Sequence, residues 1–140
     1  MTEDLELLGQ AIKRAQYRNH RAMDAALREA GVSLVQWDAL RAVDRMPGAT
    51  GHDLAEATFQ SDQAFGTLAV RLQERGLIER SAGRGRRIEH RLTEAGREAL
   101  DAGYRIVAEV LDELFAPLEE SDRASLARVL GTLTSADVRV

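Results

Sequence analysis

Ser81-Ala82-Gly83-Arg84-Gly85-Arg86-Arg87, set between Leu77-Ile78-Glu79-Arg80 and Ile88-Glu89-His90-Arg91-Leu92, is the stretch on which the fold turns. Two short apolar runs flanking a glycine- and arginine-rich turn have the pattern of a β-hairpin with a basic tip. A helical stretch, Ser61 to Gly76, runs directly into the first strand candidate. Between Arg71 and Arg91 there are seven arginines against three glutamates, whereas the whole chain of 140 residues is acidic, with a net charge of −4. A local basic patch on an acidic molecule is expected where only one face meets phosphate. A solvated arginine-rich turn would have the same composition.

The helices ahead of the hairpin follow from their caps and periodicity. Residues 4–30 carry Leu5, Leu8, Ile12, Ala15, Ala22, Met23, Ala26, Leu27 and Ala30 at spacings of three and four, which predicts one long helix ended by Gly31. Ser33 and Gln36 form a capping-box pattern that opens a second helix, with Leu34, Trp37, Leu40, Val43 and Met46 on its apolar stripe and Pro47-Gly48 at its end. Thr50-Gly51-His52-Asp53 is a weaker cap for a short third helix through Ala57, and Thr58-Phe59-Gln60 is a turn. Ser61 caps the fourth helix, whose core stripe is Phe65, Leu68, Ala69 and Leu72. Helix, turn, helix, strand, basic tip, strand is the order of a winged helix-turn-helix, in which a helix enters the major groove and the hairpin reaches the backbone or minor groove.

Beyond the hairpin, Leu92-Thr93 opens another long helix through Phe115, with Leu100, Ile106, Val107, Val110, Leu111, Leu114 and Phe115 as its stripe. Pro117 interrupts it, and Ser121-Asp122 opens a last helix carrying Leu126, Val129, Leu130 and Leu133. The expected fold class is therefore mainly α with a small β-hairpin wing. The winged helix-turn-helix spans residues 32–92, between an N-terminal dimerisation helix (1–31) and C-terminal dimerisation helices (93–140). A helix of 27 residues is about 40 Å long, more than a small unit covers, so a second copy of the chain is expected to bury its apolar face.

Composition narrows the function classes. There is no cysteine, which excludes a disulfide scaffold and a thiolate metal site. His20, His52 and His90 lack metal-ligand spacing, and capping accounts for His52 and Asp53; no metal and no cofactor is expected. No glycine-rich nucleotide loop or nucleophile elbow occurs, so an enzyme is not expected. No run of 18 apolar residues is present, and the acidic N-terminus has no signal-peptide pattern, so the expected location is the cytoplasm, away from membranes. Lys13 is the only lysine, so nearly all positive charge is guanidinium, whose planar fork suits phosphate.

With Leu72-Gln73-Glu74-Arg75-Gly76-Leu77-Ile78-Glu79-Arg80, an arginine-containing wing and Leu92-Thr93-Glu94-Ala95-Gly96 in this order, the chain resembles the MarR family of bacterial transcriptional regulators from about Leu5 to Leu133. The resemblance implies a homodimer built from both chain ends, a recognition helix at Ser61–Arg75 and a wing at Ala82–Arg87. It also implies a small aromatic or phenolic ligand that weakens DNA binding. Wings of that family carry aspartate, one residue, then arginine; Arg84, Gly85 and Arg86 stand there in this chain, so a second arginine replaces the acidic partner.

The expected DNA contacts are Ser61, Asp62, Gln63, Thr67, Arg71, Arg84, Arg86 and Arg87, on a double-stranded, pseudo-palindromic operator. Gln63 suits adenine; Asp62 suits cytosine or serves as a cap. Gln63 and Thr67 otherwise form an ordinary exposed helix face. Tyr17, His20, Trp37 and Arg41 line an effector pocket between the first two helices, or Trp37 belongs to the core or an interface. The expected function is a homodimeric, sequence-specific repressor relieved by a small ligand; the alternative is a winged-helix protein-interaction module without DNA binding.

Overall fold

The computed structural model describes residues 4–136; the expected segments 1–31 and 93–140 extend beyond it at residues 1–3 and 137–140. The order is α1 (Leu5–Leu27), a 3₁₀ turn (Arg28–Ala30), α2 (Leu34–Arg45), α3 (Gly51–Ala57), α4 (Asp62–Glu74), β1 (Ile78–Ala82), β2 (Ile88–Leu92), α5 (Glu94–Phe115) and α6 (Glu120–Ser135). The strands pair antiparallel in a two-stranded hairpin, with Ile78 opposite Leu92, Arg80 opposite His90 and Ala82 opposite Ile88.

Several boundaries differ from the sequence reading for local reasons. The first helix stops at Leu27, and Arg28–Ala30 tightens into a 3₁₀ turn before Gly31, which takes a left-handed φ of 75°. The first strand starts at Ile78 and continues through Ala82, because the main chain of Leu77 is already engaged: its N–H donates to the Leu72 carbonyl and its own carbonyl accepts from Thr93 N–H. The last helix opens at Glu120 instead of Ser121, and its N-cap, Glu119, makes no side-chain cap bond.

The caps at the centre of the fold are as the sequence implies. Ser33 Oγ accepts from Gln36 N at 3.1 Å while Gln36 Oε1 accepts from Ser33 N at 3.0 Å. Thr50 and Asp53 form the same reciprocal pair at the head of α3. Each satisfies backbone donors that a helix start leaves free.

The core is built around α2, which buries Leu34, Trp37, Leu40 and Val43 against Leu27, Leu54, Phe65, Leu72 and Leu100. Trp37 is its pivot: the indole Nε1 donates to the Leu100 carbonyl at 3.1 Å, and Tyr104 meets its ring edge-on at 5.2 Å. Burial ends there. Leu27 is the one buried residue of α1, and α6 has none among the described residues. Leu5, Leu7, Leu8 and Ile12 on α1, and Leu126, Val129, Leu130 and Leu133 on α6, are all exposed.

Candidate nucleic-acid interface

The α3–turn–α4 unit and the hairpin stand side by side. Ser61 Oγ accepts from Ala64 N at 3.1 Å and fixes the start of α4. Phe65, Ala69 and Leu72 anchor the helix in the core, which leaves Gln63, Thr67, Val70 and Arg71 on its outer face. Thr67 Oγ1 donates to the Gln63 carbonyl at 3.1 Å, so its methyl is the free part of that side chain. The far end of α4 is tied by a contact that sequence reading missed: Arg75 donates to the Gly31 carbonyl at 2.6 Å and to Gln36 Oε1 at 3.0 Å. Its signal was faint, since an arginine next to a helix-ending glycine reads as surface.

The wing tip is closed by main-chain bonds, Gly83 N to Arg87 O at 2.7 Å and Arg87 N to Arg84 O at 3.4 Å. Arg84, Arg86 and Arg87 are exposed and, among the described residues, form no ion pair or side-chain hydrogen bond; Arg71 is likewise unpaired. A cleft of about 410 Å³ separates the wing from the starts of α3 and α4, with Arg80, Arg86 and Arg87 on one wall and Asp62 and Gly66 on the other. The Arg80 Nε is buried there without a hydrogen-bond partner among the described residues. His90 packs under the cleft, edge-on to Phe65, with Nδ1 3.2 Å from the Ala49 carbonyl; burial lowers its pKa and favours the neutral ring.

Asp62 lies in this site but is not the cap of α4. Its carboxylate takes His52 Nδ1 at 2.9 Å, and His52 Nε2 lies 3.3 Å from Glu56. Capping therefore explains Asp53 but not His52, which links α3 to α4. The Asp62 hydrogen bond and charge, followed by Glu56, raise the His52 pKa. Asp53 is held low by its hydrogen bonds to Thr50, with a smaller contribution from Arg87.

The four residues expected around an effector divide. Trp37 is buried with Arg41 stacked 5.5 Å above its ring, and Asp38 beside them feels both Arg41 and His20; burial raises the Asp38 pKa against those two attractions. Tyr17 faces outward, 59% exposed, under Arg21 at 5.7 Å. No group of three or more metal-ligating side chains is assembled among the described residues, and no described helix is long and apolar enough to cross a membrane.

The family model of the MarR family matches residues 30–88, which span α2, the helix-turn-helix and the wing. The chain superimposes on a probable transcriptional regulator from Pseudomonas aeruginosa with a TM-score of 0.81 and 28% identity, covering 89% of this chain and 95% of that one. Over residues 30–88 the chain is similar to the MarR family. It is also similar to a MarR family protein of Mycobacterium tuberculosis solved with p-aminosalicylic acid, at 26% identity and a TM-score of 0.76 over 91% of this chain and 98% of that one. The same protein solved with DNA gives 24% identity and a TM-score of 0.75, again over 91% and 98%. No curated protein matches the sequence. The fold is that of the solved transcriptional regulators it superimposes on, and the span similar to the MarR family contains both halves of the candidate interface.

Proposed function

We propose that the chain is a homodimeric, sequence-specific DNA-binding regulator, a repressor released by a small aromatic or phenolic ligand. One observation carries the reading: Arg86 and Arg87 of the wing, without ion-pair partners among the described residues, stand across a cleft from the head of α4. In it, α4 enters the major groove with Gln63, Thr67 and Arg71 outward, and Arg84, Arg86 and Arg87 grip the phosphate backbone. Ser61 and Asp62 act at the head of the helix, where the Ser61 cap positions the reading face. The complexes of the mycobacterial relative with DNA and with p-aminosalicylic acid support the duplex and the ligand class.

Dimerisation is supported by the exposed apolar rows of α1 and α6. Segments 1–31 and 93–140 then form the dimer module and 32–92 the reader, with the first half of α5 serving both through its packing on Trp37. Tyr17, His20 and Arg41 are the proposed effector surface, with Trp37 buried beneath Arg41.

The test is fluorescence anisotropy on duplexes from the region upstream of the protein's own coding sequence, at rising salt, beside scrambled duplexes. Arg86→Ala is expected to weaken all duplexes alike and to lower the salt slope by about 1, the share of one phosphate contact. Absence of binding to any duplex at low salt overturns the reading and leaves the protein-interaction module in its place.

A further inference from the structure

His52 sits between two carboxylates on different helices, Glu56 of α3 at 3.3 Å and Asp62 of α4 at 2.9 Å, each facing a different ring nitrogen. A neutral imidazole has one N–H and one lone pair, so it can donate to only one of them and turns its lone pair toward the other. An imidazolium donates to both. Asp62 lines the cleft that also holds Arg80, Arg86 and Arg87. A carboxylate left free at that point repels DNA phosphate and competes for the wing guanidiniums.

We propose that His52 is a positioning residue of the DNA-reading surface: as an imidazolium it clamps Asp62 against α3, keeps that carboxylate from phosphate and from the wing arginines, and so makes duplex affinity fall as pH rises. The proposal rests on the DNA-binding reading given above. The groups facing His52 are Glu56 and Asp53 on its own helix and Asp62 on α4; Arg87 of the wing acts on the cluster through Asp53. Three acidic neighbours favour the charged ring, and the His52 pKa is raised accordingly. The charged bridge is therefore complete below the ordinary histidine pKa and is lost as pH rises through the raised value. Linkage requires the reverse effect too: a bound duplex, disfavouring free Asp62, promotes protonation of His52. His90, buried and held neutral, titrates on the opposite side of the ordinary value and does not produce this effect.

The experiment measures affinity of the full chain for one fixed mixed-sequence duplex at low salt from about pH 6 to about pH 8.5, since the charge term acts on any sequence. The wild type is expected to lose about threefold to tenfold in affinity across that range, the effect of one charge near the surface. His52→Gln and Asp62→Asn are each expected to flatten the profile, whatever their absolute affinity. In NMR titrations of the histidine rings, Asp62→Asn is expected to move the His52 midpoint downward. Tight binding with a flat wild-type profile, or a profile unchanged in His52→Gln, overturns the proposal and leaves the DNA-binding reading standing. Absence of duplex binding at every pH overturns both.

Discussion

Phe59 carries two unfavourable features at one position. Its φ is 58°, the left-handed region that a bulky side chain seldom adopts, and its side chain is 97% exposed. The main chain imposes both: Gln60 N–H reaches back to the Ala55 carbonyl at 2.9 Å, closing α3 so that Ser61 can start α4. Phe59→Gly is expected to raise thermal stability by about 1 kcal/mol, read by denaturant melts, since the turn keeps its bonds and loses its strain. At His90 the sign runs the other way from His52. Burial depresses its pKa, so its contribution is intact above the ordinary histidine value and is lost as pH falls through that value toward the folded one. Stability is expected to decline below about pH 6.5, and a neutral isostere, His90→Asn, should shrink that acid limb even if it lowers the plateau.

At the scale of elements, α5 is held by close approaches that only glycine permits. A methyl on Gly103 would collide with the Trp37 indole, and one on Gly96 with the Leu77 carbonyl. Gly103→Ala is expected to cost about 1–3 kcal/mol as over-packing, measured by the fluorescence of Trp37 in urea. Thr93 does three things at once: its Oγ1 caps α5 by accepting from Gly96 N at 3.0 Å and donates to the Gly76 carbonyl at 2.6 Å, and its own N–H donates to the Leu77 carbonyl at 3.2 Å. Thr93→Ala should cost about 1 kcal/mol for the cap alone, with loosening of the wing root visible in hydrogen exchange at Ile78 and Leu92. The Leu92-Thr93-x-x-Gly96 pattern is thus a joint between the end of α4, the hairpin and α5, and its spacing is that of one helical turn.

For the whole molecule, the apolar rows left outside set the expectation. Leu5 is 76% exposed, and Ile12 on α1 and Leu130 on α6 are also open. An apolar groove of about 440 Å³ runs between α5 and α6, past Leu111, Phe115, Leu126 and Leu130. Exposed apolar rows of this kind are what a second copy of the chain would cover. Sedimentation equilibrium is expected to give twice the monomer mass at micromolar concentration, and Leu130→Asp to shift it toward the monomer with a matched drop in duplex affinity. A monomeric wild type would remove the dimer from the reading while leaving the reader itself intact.

Local chemistry in the sequence was enough for the helices, the caps of α2 to α5, the hairpin and the charge of its tip. Ser33 with Gln36, Thr50 with Asp53, Ser61 and Thr93 act on backbone groups within one turn, so adjacency in sequence is adjacency in space. The exposed faces of α1 and α6 were legible for a related reason, since periodicity shows an apolar stripe whether or not anything covers it. What lay beyond reach was long-range pairing. Arg75 with Gly31, Trp37 with Leu100 and Gly103, and His52 with Asp62 join residues that no local rule connects. Those contacts arise only when the core around α2 closes and fixes where each helix end falls. The basic tip was therefore written in the chain, whereas the groups facing it across the cleft were chosen by the packing.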